Sequence, residues 1–137
     1  MSKTRPTPTL ADADGATTHF QSLLDRDHLS SWSVVVVCCD DQVRPTQQWH
    51  VVDCAPDASP SECAAVLDNL LWEVEPGPAV AGLALGLTRP GGEEVQPYDR
   101  TWFRAYHRIC HHRGFMTYGV YTVTRTGTRP VHIDDAA

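Results

Sequence analysis

Residues 79–99 read AVAGLALGLTRPGGEEVQPYD, and the other elements of the chain can be arranged around this stretch. Residues 80–87 are all apolar or glycine and are bounded by turn signals, which is typical of a strand buried on both faces at the centre of a sheet. The Pro-Gly-Gly sequence at 90–92 forces a turn, and a helix follows from about Asp99. Because sites in α/β sheets lie where a central strand turns toward a helix, we expect any site at this turn.

The chain before this strand predicts a short helix and a β-hairpin. The helix is expected at 18–27, where apolar side chains share one face. Residues 32–39, WSVVVVCC, are rich in β-branched valine and predict a strand, which returns over 48–54 after a turn. Since Pro45 has no amide to donate to a central ladder, we expect it at the edge of the hairpin or in a bulge.

The best-signalled helix begins at Ser-Pro-Ser-Glu, residues 59–62, which is a capping box with proline at the first helical position. Apolar residues then recur at helical spacing, which predicts a helix over 60–75 that ends before the Pro-Gly-Pro at 76–78. Leu70 and Leu71 both fall on the apolar stripe. We therefore expect both in the core.

After the central strand, the pattern predicts another helix and two strands. Asp99 is expected to cap the start of the helix, and Gly114 its end. The expected bounds are 100–113 for the helix, 115–124 for the next strand, 125–129 for a turn and 130–133 for an edge strand. The whole order predicts an α/β fold, a single-domain sandwich with a mixed central sheet.

Composition and charge limit the functional classes. The 137 residues carry a net charge of −6, which disfavours a general nucleic-acid binder. The chain has no apolar run of the ~20 residues that a membrane span needs and no hydrophobic leader, so we expect a cytoplasmic protein.

The folded domain is expected over 19–133, between a disordered tail at 1–18 and a short acidic tail at 134–137. The five cysteines form no CxxC pair and are expected to be buried thiols.

The order of these elements resembles a JAB/MPN domain, most closely the RadC-like variant. The resemblance rests on the hairpin, the capped helix, the apolar strand that ends in Arg-Pro-Gly-Gly at 89–92, and the Asp99 that follows. The resemblance covers about residues 31–131. In that family the strand ends in His-x-His-Pro-x-Gly, and the two histidines, a later Asp and an upstream Glu hold and activate a catalytic zinc for isopeptide hydrolysis. Cytidine deaminases share much of the element order, but their His-x-Glu and Pro-Cys-x-x-Cys motifs are absent here.

Matched to the family motif, this chain keeps the turn residues 90–92 and has Asp99 one position early. Leu87 and Arg89 stand where the two histidines would be. The upstream glutamate is missing, because the first glutamate of the chain is Glu62, inside the capped helix. Arginine has no lone pair to give a metal, so the resemblance implies a degenerate domain without the zinc chemistry.

In place of the metal site we expect a charge pair. Arg89 is predicted to pair with Asp99, Glu93 or Glu94 across the turn, which closes the former cleft. We accordingly predict no zinc at this turn, no cofactor, and no peptidase or isopeptidase activity.

Two further patterns lie on the second long helix. His107 and His111, at i and i+4, are a weak candidate pair for a metal, against the simpler interpretation of a solvated helix face. Arg104 and Arg108 belong to a row of basic residues, either solvated or a docking surface for an acidic partner, since the planar fork of arginine binds carboxylates well.

No nucleophile elbow or phosphate-binding loop occurs in the chain. Gly82 and Gly86 lie inside the central strand and are expected to mark close packing of neighbouring elements. We therefore expect a non-catalytic module that binds an unknown protein partner, with a second copy of the chain left open as that partner. The alternative is a metal-dependent hydrolase, of the JAB type or with an unrecognised site.

Overall fold

A computed structural model describes residues 15–16, 18–20, 31–92, 94–125 and 127–132. Within these residues, five strands form one mixed sheet in the order β2-β1-β3-β4-β5. The strands are β1 Ser33–Cys39, β2 Pro45–Val51, β3 Gly82–Thr88, β4 Met116–Thr124 and β5 Gly127–Val131. The two long helices are α1 Pro60–Leu70 and α2 Pro97–Arg113. The α/β class and the mixed sheet are therefore confirmed.

The strand β3 is central, as the sequence predicts. It pairs antiparallel with β1 and parallel with β4, and each of its residues is buried. Close packing at its two glycines is also confirmed. A Cβ at Gly82 would lie 2.5 Å from the carbonyl oxygen of Met116, and one at Gly86 would lie 2.5 Å from the ring of Phe20.

Helical residues cover both faces of the sheet. The helices α1 and α2 pack on the face that carries Val34, Val36 and Leu85. The opposite face, which carries Val35 and Val37, is covered by Phe20 from the helical residues 15–16 and 18–20. Most of the helix predicted at 18–27, most of the tail proposed at 1–18, and all of the tail proposed at 134–137 lie outside the described residues.

The start of α1 is confirmed and its predicted end is wrong. The Ser59 hydroxyl accepts from the amide of Glu62 at 3.2 Å, and the Glu62 carboxylate accepts from the amide of Ser59 at 3.2 Å. The helix stops at Leu70 rather than at residue 75. The helix gives way to tight turns, since the Trp72 amide donates to the Asn69 carbonyl at 3.4 Å and the Val74 amide donates to the Leu71 carbonyl at 2.9 Å. The Leu71 carbonyl also accepts from the Arg113 guanidinium of α2 at 2.5 Å.

The start of α2 also differs from the prediction. The helix begins at Pro97, with Gln96 at the N-cap position, so the expectation that Asp99 is the N-cap is wrong. Asp99 is instead the third helical residue, and its carboxylate accepts from the Gln96 amide at 2.9 Å. The predicted end is confirmed, because Gly114 adopts the left-handed conformation with φ of 79°.

The two hairpins differ from the predictions only in their bounds. The return strand β2 spans Pro45–Val51 rather than 48–54, and Pro45 lies on this edge strand next to a register shift, as expected. The strand β5 begins at Gly127, so the turn predicted over 125–129 is too long, because Thr124 already pairs with Gly127. Within the part of the chain that the structure describes, no helix is long and apolar enough to span a membrane.

Candidate functional site

The turn after β3 contains a fully buried ion pair. Arg89 and Asp99 both have side chains that are 0% exposed. Arg89 Nε lies 2.9 Å from Asp99 Oδ1, and Arg89 Nη2 lies 2.8 Å from Asp99 Oδ2. The guanidinium therefore donates to both carboxylate oxygens in a bidentate pair. The predicted pairing of Arg89 with Asp99 is present. Because neither side chain reaches solvent, neither can contact a partner directly in this conformation.

The remaining donors of Arg89 hold the loop that follows it. Nη1 donates to the carbonyl oxygens of Gly92 at 2.8 Å and Pro90 at 3.3 Å, and Nη2 donates to that of Glu94 at 2.7 Å. Every N–H of the guanidinium thus has an acceptor, which is what a buried cation requires. Gly91 fits this loop because its φ is 101° and a Cβ there would lie 2.7 Å from Gln96 Nε2.

The positions that match the family's metal ligands are occupied by other interactions. The Asp99 oxygens accept from Arg89 and from the Gln96 amide. The Leu87 side chain is 0% exposed and belongs to the core beneath α1 and α2. Glu93 lies outside the described residues. The arrangement is a closed, fully hydrogen-bonded turn rather than a set of open ligands.

A buried hydroxyl pair, which the sequence does not predict, lies at the same end of the sheet. Ser33 Oγ is hydrogen-bonded to Thr88 Oγ1, and His50 Nε2 lies 3.0 Å from Ser33 Oγ. Ser33 and Thr88 are 0% exposed, so a substrate cannot reach the serine as a nucleophile in this conformation. The strand register could have indicated the contact, since His50 pairs with Val35, two residues beyond Ser33.

An open groove of about 460 Å³ lies between α1 and α2. One wall consists of α1 residues and the other of α2 residues: Ser61, Ala64, Ala65 and Asp68 on one side, and Arg108, Ile109, His111 and His112 on the other. The one carboxylate among these described lining residues, Asp68, is paired with Arg113, whose Nε lies 3.3 Å from Asp68 Oδ1. Excess positive charge therefore belongs to the α2 wall.

The candidate docking and metal-binding residues of α2 do not all lie in the groove. Arg108 and His111 line the groove, and Arg104 is exposed on the same helix. His107 instead packs on the ring of Phe103, with centroids 4.3 Å apart, and partial burial lowers the pKa of His107. Among the described residues, no group of three or more His, Cys, Asp or Glu side chains is arranged to hold a metal ion.

Comparison with known proteins finds no matching family model and no matching curated protein.

Proposed function

We propose that the protein is a non-catalytic binding module that takes an acidic segment of a partner protein into the groove between α1 and α2. The observation that carries this proposal is the composition of the groove, in which Arg108, His111 and His112 face the small side chains of Ala64 and Ala65. Small residues on one wall leave room for a partner side chain, and the opposite wall offers donors to carboxylates.

Charge supports an acidic partner. The chain has a net charge of −6, so a positive groove is a local feature of an otherwise acidic molecule. Arg100, Arg104 and Arg108 are exposed and follow one another at intervals of four residues, which aligns them along one side of α2. Nucleic acid is not the proposed partner, because a run of phosphates needs a broad basic surface, whereas the positive charge of this chain of net charge −6 is confined to one helix face.

The apolar part of the groove supports a protein segment rather than a free acidic small molecule. Ala65 and Ile109 contribute to its apolar floor, and Ala65 is exposed. A segment with carboxylates for Arg108 and an apolar side chain for this floor would bury surface that simple ions cannot.

The assignment to a degenerate RadC-like JAB/MPN domain belongs to the same proposal. It rests on the element order and on the Arg-Pro-Gly-Gly turn, and the five-stranded mixed sheet agrees with it at the level of fold class. The alternative of a metal-dependent hydrolase is the weaker candidate, because Arg89 engages the one matching ligand, Asp99. We also propose a cytoplasmic location, since all five cysteines are free thiols, as a reducing compartment keeps them.

The test uses a short fluorescent peptide rich in Glu and Leu, with a counterpart in which Lys replaces Glu. Fluorescence anisotropy should show binding of the acidic peptide only, and binding should weaken as salt rises above ~0.15 M. Arg108→Glu should weaken binding about tenfold, because a repulsion replaces an attraction. The matched control is Arg125→Glu, which makes the same charge change at an exposed position after β4.

Two results would contradict the proposal. One is equal binding of the acidic and basic peptides, which would indicate nonspecific adsorption. The other is an equal loss of affinity in the Arg108→Glu and Arg125→Glu variants, which would indicate that only the net charge matters.

A further inference from the structure

The last described residues of the chain lie beside α2. Val131, which ends β5, belongs to the core beneath α1 and α2, and His132 after it is exposed. His132 and His107 of α2 line the same pocket, which has a volume of about 210 Å³. The chain therefore continues from a point next to His107.

The exposed side of α2 next to this point is basic. Arg104 and His111, three residues before and four residues after His107, lie about 5–6 Å from it between Cβ atoms. At about 100° per residue, Arg104 is rotated about 60° around the helix from His107, and Arg108 about 100° in the same direction. Arg104, Arg108 and His111 are exposed, and the last two line the groove between α1 and α2. A basic surface thus extends from His107 to the groove.

The sequence after His132 is acidic. It reads Ile-Asp-Asp at 133–135, so an apolar side chain precedes two carboxylates. These two carboxylates follow His132 by two and three residues, a span of about 7 Å and about 10 Å in an extended chain. That span covers the step of about 5–6 Å from His107 to its neighbours on the helix surface. The acidic segment 133–135 is therefore long enough to reach the basic surface of α2.

We infer that Asp134 and Asp135 bind Arg104 and Arg108 on α2, so that the acidic segment 133–135 competes with an acidic partner for the groove. The contact follows from opposite charge and a short connection, whereas the competition rests on the proposed function. The acidic segment 133–135 has the composition proposed for the partner segment, since it combines carboxylates with an apolar side chain. The chain thus carries its own competitor for the groove.

Two carboxylates next to α2 are already engaged by other arginines. Asp68 of α1 lies 3.3 Å from Arg113 Nε, and Asp99 at the start of α2 lies 2.8 Å from Arg89 Nη2. Neither pair involves the arginines of the basic surface. The acidic segment that follows His132 is the part of the chain that connectivity brings to this side of α2.

The proposed contact is partial rather than permanent. Exposed ion pairs each contribute little to stability, so two of them do not hold the segment in place at all times. A short connection nevertheless gives the segment an effective concentration in the millimolar range. A partner that binds weakly is therefore outcompeted, and one that binds tightly displaces the segment.

The contact is tested by NMR on the full ¹⁵N-labelled chain, in the double variant Asp134→Asn/Asp135→Asn. The matched control is Asp41→Asn/Asp57→Asn, which removes the same two charges at exposed turn positions. The amide signals of residues 104–111 should shift in the first variant and stay at their wild-type positions in the control, because only the first removes ion pairs with α2.

A mutant cycle identifies the arginines involved. In a chain that already carries Arg104→Gln and Arg108→Gln, adding Asp134→Asn and Asp135→Asn should leave the amide signals of α2 unchanged, since the contact is absent before the second change. A shift as large as that in the wild-type background would assign the carboxylates to another part of the chain and overturn the contact.

The competition is measured with the fluorescent peptide rich in Glu and Leu. Its affinity should rise about threefold in Asp134→Asn/Asp135→Asn, as expected if the segment occupies the basic surface in about two thirds of the molecules. The control Asp41→Asn/Asp57→Asn should bind the peptide as the wild type does at ~0.15 M salt, because its two charges lie elsewhere.

The inference is overturned if the signals of residues 104–111 do not shift in Asp134→Asn/Asp135→Asn, or if they shift equally in the control. A shift on α2 with unchanged peptide affinity would overturn the competition. If the peptide binds no variant, the proposed function fails, and the NMR comparison still decides whether the acidic segment contacts α2.

Discussion

At the scale of single residues, Arg89 is the least expected member of the interior. It is among the largest side chains that are completely buried. A buried cation is tolerated only when it is paired and all its donors have acceptors. The Asp99 carboxylate and three loop carbonyls meet that condition. The pairing could be predicted because the two opposite charges flank a tight turn, whereas their complete burial depends on the packing of α2 and could not.

We predict that Asp99→Ala lowers the free energy of unfolding by about 3–5 kcal/mol, because it leaves the buried Arg89 without a counter-charge. It also removes the acceptor of the Gln96 amide. Adding Arg89→Met to that variant should restore part of the loss, since it removes the unpaired cation. Urea unfolding gives the free energy of unfolding of the wild type, of Asp99→Ala and of the double variant.

The control for this prediction is Glu75→Ala, which removes an exposed carboxylate and should change the free energy by less than about 0.5 kcal/mol. A loss for Asp99→Ala no larger than the loss for Glu75→Ala would show that the ion pair does not stabilise the turn.

At the scale of elements, the start of α1 and the end of α2 were predicted correctly, whereas the end of α1 and the start of α2 were not. The start of α1 is encoded locally by Ser59 and Glu62, whose capping contacts need no other part of the chain. At its end, the Leu71 carbonyl accepts from Arg113 of α2, a tertiary contact that the sequence of α1 alone does not encode. The start of α2 did carry a local signal, since Pro97 at the first helical position implies a cap at Gln96.

The early end of α1 separates two leucines that the sequence treats alike. Leu71 is 0% exposed, whereas Leu70 is only partly buried against the same core. We predict that Leu71→Ala costs about 2–5 kcal/mol of unfolding free energy, because the cavity it leaves lies in the core. Leu70→Ala should cost about 1 kcal/mol, in proportion to its smaller burial.

Urea unfolding of both variants tests this order, with Trp72→Ala as the control at a side chain that is 72% exposed. The control should change the free energy little. If Leu70→Ala proved the more damaging change, the orientation of the last turn of α1 would be wrong.

The candidate sites were less predictable than the elements that carry them. Arg108 and His111 could be named from their helix positions, but the groove exists only because α1 lies beside α2. A smaller pocket, of about 220 Å³, is lined by Trp102 of α2 and by the loop after β2, where Asp53 adopts a left-handed φ of 55°. Such juxtapositions arise from tertiary packing, and a single sequence carries no local signal for them.

At the scale of the whole molecule, the three layers bury cysteine thiols on both faces of the sheet. Cys38 and Cys110 belong to the core beneath α1 and α2, and Cys39 belongs to the opposite core. Burial raises the pKa of each of these three thiols to about 12. Burial also raises the phenol pKa values of Tyr98 and Tyr106. The fold as a whole therefore holds protons that the unfolded chain would release in alkaline solution.

These shifts fix the sign of the pH dependence. An ordinary cysteine pKa is 9.0, so above that pH the unfolded chain binds fewer protons than the folded protein does. The unfolding free energy therefore decreases as the pH rises. Each thiol that is protonated in the folded protein but ionised in the unfolded chain contributes a decrease of up to about 1.4 kcal/mol per pH unit. The stabilisation is complete below about pH 9 and is lost as pH rises toward about 12.

We predict that the unfolding free energy, measured in urea with a reductant present, falls steeply as the pH rises from about 9 to about 10.5. Cys110→Ala should flatten the decline, because it removes one of the thiols whose pKa burial raises to about 12. The reference variant is Trp72→Phe, which leaves all five thiols in place and should reproduce the wild-type slope. A free energy that stays constant to about pH 10.5 would mean that the thiols ionise as readily in the folded protein as in the unfolded chain, so that the core does not exclude water from them.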